Sequence, residues 1–189
     1  MVVVIAWQVY DVARTDYGMS PKAAAFQLGL LGLFQFIPLA LLTPVAGWAA
    51  DRFERRRVAI FANMVDAGVA HGQGLLTYHD ALNLPLLFVL AAMHGIARVF
   101  VGPAMSAIAP NIVPPESLPR AIALGSIAWQ SASVIGPAVG GLMYAQNAPA
   151  SYWMTVALLI LSSIAISTVR PVVPPPMTEK KHPVRMMVE

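Results

Sequence analysis

The chain contains no cysteine, and only 11% of its 189 residues are charged. Without thiols there can be no disulfide framework and no thiolate metal site. The scarcity of charge, set against about 25% in a soluble domain, excludes the ordinary soluble globular class. Apolar residues fill the space: 58% of the chain is hydrophobic and the mean hydropathy is +0.67. The net charge of +3 and the pI near 9.5 would suit a nucleic-acid binder, but the basic residues lie beside apolar runs and not on one polar face. They read as topology signals, so a lipid bilayer is the expected partner and nucleic acid is not. No cofactor and no metal site are expected.

A helix needs about 20 apolar residues to cross a hydrocarbon core of roughly 30 Å, because every backbone polar group must be satisfied internally there. Residues 23–50 carry no charge, 58–78 carry only Asp66 and His71, and 84–106 carry only His94 and Arg98. Residues 121–169 hold no Asp, Glu, Lys or Arg; at about 1.5 Å per residue that run is over twice the membrane thickness and must turn back. The break falls at "QNAPAS", residues 146–151, where polar side chains and Pro149 suit a short turn. Spans of 121–145 and 151–169 follow. The opening "MVVVIAWQVYDV" has neither a basic leader nor a small-residue cleavage site, so a signal peptide is a poor reading. About ten apolar residues before Asp11 make it the expected second half of a first span, roughly residues 1–14.

The fold class expected is therefore all-α integral membrane, six spans within residues 1–170 with the first incomplete. If the turn "DRFERRR" is cytoplasmic, alternation places Arg52, Arg55, Arg56, Arg57, Arg120, Arg170, Lys180, Lys181 and Arg185 on one side, nine of the twelve basic residues. Only Arg14 and Lys22 then face outward. Residues 171–189 are proline-rich and then charged, as a flexible cytoplasmic tail or a linker to a second membrane unit would be.

The densest charge sits in "GWAADRFERRR", residues 47–57, between two apolar runs. A basic turn of this kind orients a membrane protein by itself. Its spacing offers more: Gly47 admits a close helix, Asp51 can meet a helix N-terminus, and the arginines can make charge-assisted bonds across a boundary. Gly47, Asp51, Arg52, Arg55 and Arg56, in the pattern Gly-x-x-x-Asp-Arg-x-x-Arg-Arg between the second and third spans, resemble the signature loop of the major facilitator superfamily. Glu54 stands where that family usually has glycine. The resemblance implies a loop that holds the cytoplasmic gate between two six-helix halves. Arg98 and Gly102 match the family's Arg-x-x-x-Gly pattern, whose buried arginine is associated with proton coupling. In the fifth span, Gly136, Pro137, Gly140 and Gly141 match its antiporter pattern, which marks exporters that exchange substrate for protons. Ala128, Ala132, Gly136 and Gly140 also recur every fourth residue, forming a small-residue face for helix contact. Within the family, "WQVYD" and the long stretches around the gate loop and the fifth span look most like siderophore exporters of the enterobactin-exporter type.

The resemblance covers essentially the whole chain and only the N-terminal half of the family's twelve-span architecture. It implies a proton-coupled exporter of a small molecule, a siderophore or drug, in the bacterial inner membrane, rocking against a missing C-terminal six-span half. Gln8 and Asp11 are candidates for the substrate cavity, with Asp11 equally suited to the outer interface. Arg98 needs compensation, since an isolated charge at depth costs at least roughly 2.5 to 3.5 kcal/mol. Counting from the cytoplasmic side, Asp66 is 66 − 58 = 8 residues deep and Arg98 is 106 − 98 = 8, about 12 Å for each. Two arrangements follow: a direct Asp66–Arg98 pair, or Arg98 open to a water-filled cavity. His71 and His94 read as packed or hydrogen-bonded histidines, and Gln27 and Gln35 as interhelical donors. Two rivals stand beside the exporter: a truncated, non-transporting fragment, and a six-span unit active only as a homo-oligomer. An intramembrane enzyme would need Ser126 or Ser133 with His71 or His94, and no catalytic signature surrounds them.

Overall fold

The computed structural model describes residues 1–106, 108 and 112–170. Among them there are six α-helices and no strand: α1 (Val2–Thr15), α2 (Pro21–Arg52), α3 (Arg55–Tyr78), α4 (Leu84–Ser106), α5 (Leu118–Gln146) and α6 (Ala148–Thr168). A 3₁₀ turn at Pro115–Ser117 leads into α5. The tail or linker expected at 171–189 lies outside the described residues.

Each boundary has a local cause. Ser20 accepts a hydrogen bond from the Ala23 amide at 3.3 Å and Pro21 takes the first helical position, so α2 starts there. Asn83 caps α4 through its side-chain oxygen, 3.0 Å from the Leu86 amide. Asn147 is the one residue between α5 and α6, and it accepts from the Ala150 amide at 3.0 Å. The turn expected across 146–151 is thus compressed into one residue, with Pro149 already inside α6. Between α2 and α3, Glu54 has φ −58° and ψ 113°. This negative φ is open to any residue, so replacing the family's glycine leaves the turn unstrained.

Among the described residues, α2, α4, α5 with its leading 3₁₀ turn, and α6 are long and apolar enough to cross a membrane. With 14 residues, α1 is too short, and α3 is less apolar because it carries Arg55, Arg56, Arg57 and Asp66. Yet α3 is the best-packed helix, lying against α6 and α4, while α2 lies along α4. In lipid there is no hydrophobic drive between helices, and close packing of small residues takes its place. Accordingly α3 presents Ala59, Ala62, Ala67, Ala70 and Gly74 to its neighbours. A Cβ built on Gly74 would sit 3.2 Å from Tyr152 Cβ, and one on Gly95 of α4 would sit 3.0 Å from the Gln35 carbonyl oxygen of α2. Large apolar side chains such as Phe61, Trp129 and Val134 point outward, as a lipid-facing surface requires. Helix α5 is the outlier: Gly140, against Val4 of α1, is its one buried residue.

Candidate functional site

Three polar groupings interrupt the apolar bundle. The first is the α2–α3 junction. Glu54 holds Arg56 at 3.2 Å and Arg57 at 2.6 Å. From there Arg56 Nη1 donates to the carbonyls of Ser167 at 3.0 Å and Val169 at 2.8 Å, the last turn and cap of α6. A guanidinium at this position satisfies carbonyls that have no helical partner and meets the negative end of the helix dipole. Arg55 Nε donates to the Ala50 carbonyl at 3.4 Å, closing the end of α2 onto the start of α3. Asp51 and Arg52 remain exposed, with Arg52 lying over the Trp48 ring at 5.4 Å. Gly47 has open space where a side chain would stand. The expected gate residues therefore divide: Arg55 and Arg56 brace this half internally, whereas Gly47, Asp51 and Arg52 face outward.

The second grouping lies across α3 and α4. Asp66 is paired, but with His94: Nδ1 of the imidazole is 2.6 Å from Asp66 Oδ1, and both residues are buried, at 3% and 6% exposure. Arg98 is exposed and has no ion pair or hydrogen bond among the described residues. The direct Asp66–Arg98 pair is thus replaced by Asp66–His94. Equal depth failed as a guide because it fixes neither the helical face nor the reach of a long side chain, which carries its charge away from the backbone level.

The third grouping ties three helices together. The Tyr152 hydroxyl of α6 donates to Gln8 Oε1 of α1, Gln8 Nε2 donates to Thr77 Oγ1 of α3 at 2.8 Å, and Thr77 Oγ1 donates to the Gln73 carbonyl at 2.6 Å. Gln8, expected to line a cavity, is instead 4% exposed with its amide consumed by this bracket. Asp11 is exposed on α1. Lower on α3, Asn63 Nδ2 donates to Ser162 Oγ at 3.2 Å. Among the described residues neither glutamine of α2 bonds to another helix: Gln27 Nε2 donates to Met19 Sδ, just ahead of α2, at 3.8 Å, and Gln35 is where Gly95 presses against the backbone. The edge of the His71 ring packs on Trp153, with centroids 4.8 Å apart.

The antiporter-pattern residues sit on the bare helix α5. Pro137 lies inside the helix, and Gly136 and Gly141 have open space at their Cβ positions. Sequence reading missed His94 as the partner of Asp66, and it missed Tyr152 and Thr77 as the clasp on Gln8. The available signal was the pattern along α3, where Asn63, Asp66, Ala70, Gln73 and Thr77 recur at intervals of three and four and mark one inward face.

Comparison with known proteins agrees with this architecture. The family model for the Major Facilitator Superfamily matches residues 1–185. Macrolide efflux protein A of Streptococcus pyogenes is 23% identical over 169 residues, covering 86% of this chain and 40% of the relative. The multidrug efflux pump Tap of Mycobacterium tuberculosis is 31% identical over 159 residues, covering 79% of this chain and 37% of the relative. The chain spans about two fifths of the length of these relatives. A match over nearly the whole chain, on a helical membrane architecture bearing the family's loop, leaves one assignment: this chain belongs to the Major Facilitator Superfamily.

Proposed function

We propose that the chain is the N-terminal six-span half of a proton-coupled exporter in the bacterial inner membrane, moving a small molecule outward by alternating access. The observation that supports it is the division of labour at the α2–α3 junction. Arg56 and Glu54 fasten α3 to the end of α6, so the half moves as a body, while Asp51 and Arg52 stay exposed for contacts that open and close. Asp66 and Arg98 carry the proton coupling, and Gly136, Pro137, Gly140 and Gly141 shape the α5 face that meets the second half. In this reading α1 and α3 complete the set of six spans, and the tail beyond residue 170 is cytoplasmic. The relatives are named for macrolide and multidrug efflux, which favours a drug-like amphiphile; the resemblance to siderophore exporters keeps a siderophore as the second candidate.

The test is a complete transporter carrying this half, reconstituted in proteoliposomes under an imposed pH gradient and offered a macrolide, a cationic dye and a catecholate siderophore. Gradient-driven efflux of one of them, lost in Asp51→Asn at normal membrane levels, is the expected result. Undiminished efflux in Asp51→Asn would reduce the loop to an orientation signal. A second reading, a homo-oligomer of six-span units, draws on the same bare α5 face; the mass of the assembly in native membranes separates the two.

A further inference from the structure

We propose that His94 and Asp66 form one proton-binding unit within this half, with His94 Nε2 as the atom that takes and gives the proton. This rests on the exporter reading for its role in transport, though not for its chemistry. The two side chains meet at 2.6 Å between α3 and α4, and both are buried. A carboxylate accepts only, so the ring nitrogen facing it, Nδ1, carries a hydrogen and donates. The tautomer follows: Nε2 bears the lone pair. That nitrogen is buried and has no hydrogen-bond partner among the described residues. It is the open position of the unit.

In the resting form the pair is a neutral imidazole and a carboxylate, with net charge −1. A proton delivered by water adds to the Nε2 lone pair; no bond in the ring breaks, the Nδ1–H···Oδ1 bond persists, and the pair becomes a neutral-sum imidazolium and carboxylate. Loss of that proton restores the resting form. Asp66 acts as the positioning residue, since it sets the tautomer through another group.

Few other charges act on the unit. On α4, Arg98 lies one turn beyond His94; on α3, His71 is five residues from Asp66 and turned onto Trp153 of α6. On α1, the charged side chains Asp11 and Arg14 lie in the second half of the helix. Residues 23–50 of α2 and all of α6 contribute no charged side chain. Arg98 is exposed and bonds to neither member of the pair.

The test uses the 189-residue chain in lipid nanodiscs with ¹⁵N-labelled histidine, the His94 signals being identified by their loss in His94→Gln. The expected neutral form has hydrogen on Nδ1 and a bare Nε2, and acidification adds a proton at Nε2 while the Nδ1 hydrogen stays. Asp66→Asn, whose amide can donate as well as accept, loses the tautomer bias and moves hydrogen to Nε2. A neutral His94 that carries its hydrogen on Nε2 in the unsubstituted chain, or one that stays neutral down to the pH of unfolding, overturns the proposal. In the complete transporter, proton release on adding substrate should fall at least tenfold in His94→Gln, read with a pH-sensitive dye. Equal release in His94→Gln overturns the transport role. A transporter that releases no protons even unsubstituted, while its His94 titrates at Nε2, overturns proton coupling in the exporter reading and leaves the proton-binding unit intact.

Discussion

The arginines of the α2–α3 junction are equal in sequence and unequal in place. Arg56 reaches two carbonyls at the end of α6, whereas the Arg57 side chain is 81% exposed and pairs with Glu54 at the surface. Charge-assisted bonds to helix-end carbonyls contribute about 1.5 to 3 kcal/mol, reduced here by partial exposure, and surface pairs contribute about 0 to 1. Arg56→Gln should therefore lower the thermal unfolding midpoint of the chain in detergent by several degrees, and Arg57→Gln should leave it within about a degree of the unsubstituted chain. Equal losses would show that Arg56 does not hold α6. The sequence made Arg98 the charge in need of compensation and Asp66 one of two answers; in the structure Asp66 pairs with His94, and Arg98 is exposed. A residue count gives depth only, and the choice between Arg98 and His94 depends on where each side chain leaves α4. The same gap hid Gln8, whose polar character suggested a cavity until Tyr152 and Thr77 were found on either side of its amide.

Among the elements, helix positions were legible because apolar runs have a required length and Pro, Asn and charge clusters break them. Packing was less so. Helix α3 looked like any other span, yet its small residues make it the centre of the bundle, and nothing in a run of alanines says which helix they touch. The glycines show the difference. Gly95 is pressed against the α2 backbone at Gln35, while Gly136 has open space at its Cβ position. Gly95→Leu should force α2 from α4 at a cost on the order of 1 to 3 kcal/mol, seen as reduced membrane accumulation and a lower unfolding midpoint. Gly136→Ala should leave the unfolding of this chain unchanged, within about 0.5 kcal/mol. In a complete transporter the same Gly136→Ala should slow efflux, because the α5 face is then filled by a neighbour. Full efflux would mean that the Gly136 face meets nothing.

At the scale of the whole molecule, the least buried element carries one of the family's most recognisable patterns. Among the residues of α5, Gly140 alone is buried, and the helix rests on α1 and α6 with the rest of its surface uncovered. Alternating access works by rocking one repeat bundle against another around a shared site near the midplane. On the half-transporter reading proposed above, this chain supplies one bundle, in which Gln8 is held by Tyr152 and Thr77, Asn63 by Ser162, and Asp66 by His94. The surfaces it offers to a second body are the α5 face and the exposed Asp51 and Arg52. On that reading, the chain alone would have nothing to rock against. Proteoliposomes containing only this chain, under a pH gradient, should show no efflux of macrolide, dye or siderophore above empty vesicles, and adding a separately expressed second half should raise it. Robust efflux from the chain alone would replace the half-transporter with a homo-oligomer, in which the α5 face of one copy is covered by another; cross-links between cysteines placed at Ala132 in two copies would then be required.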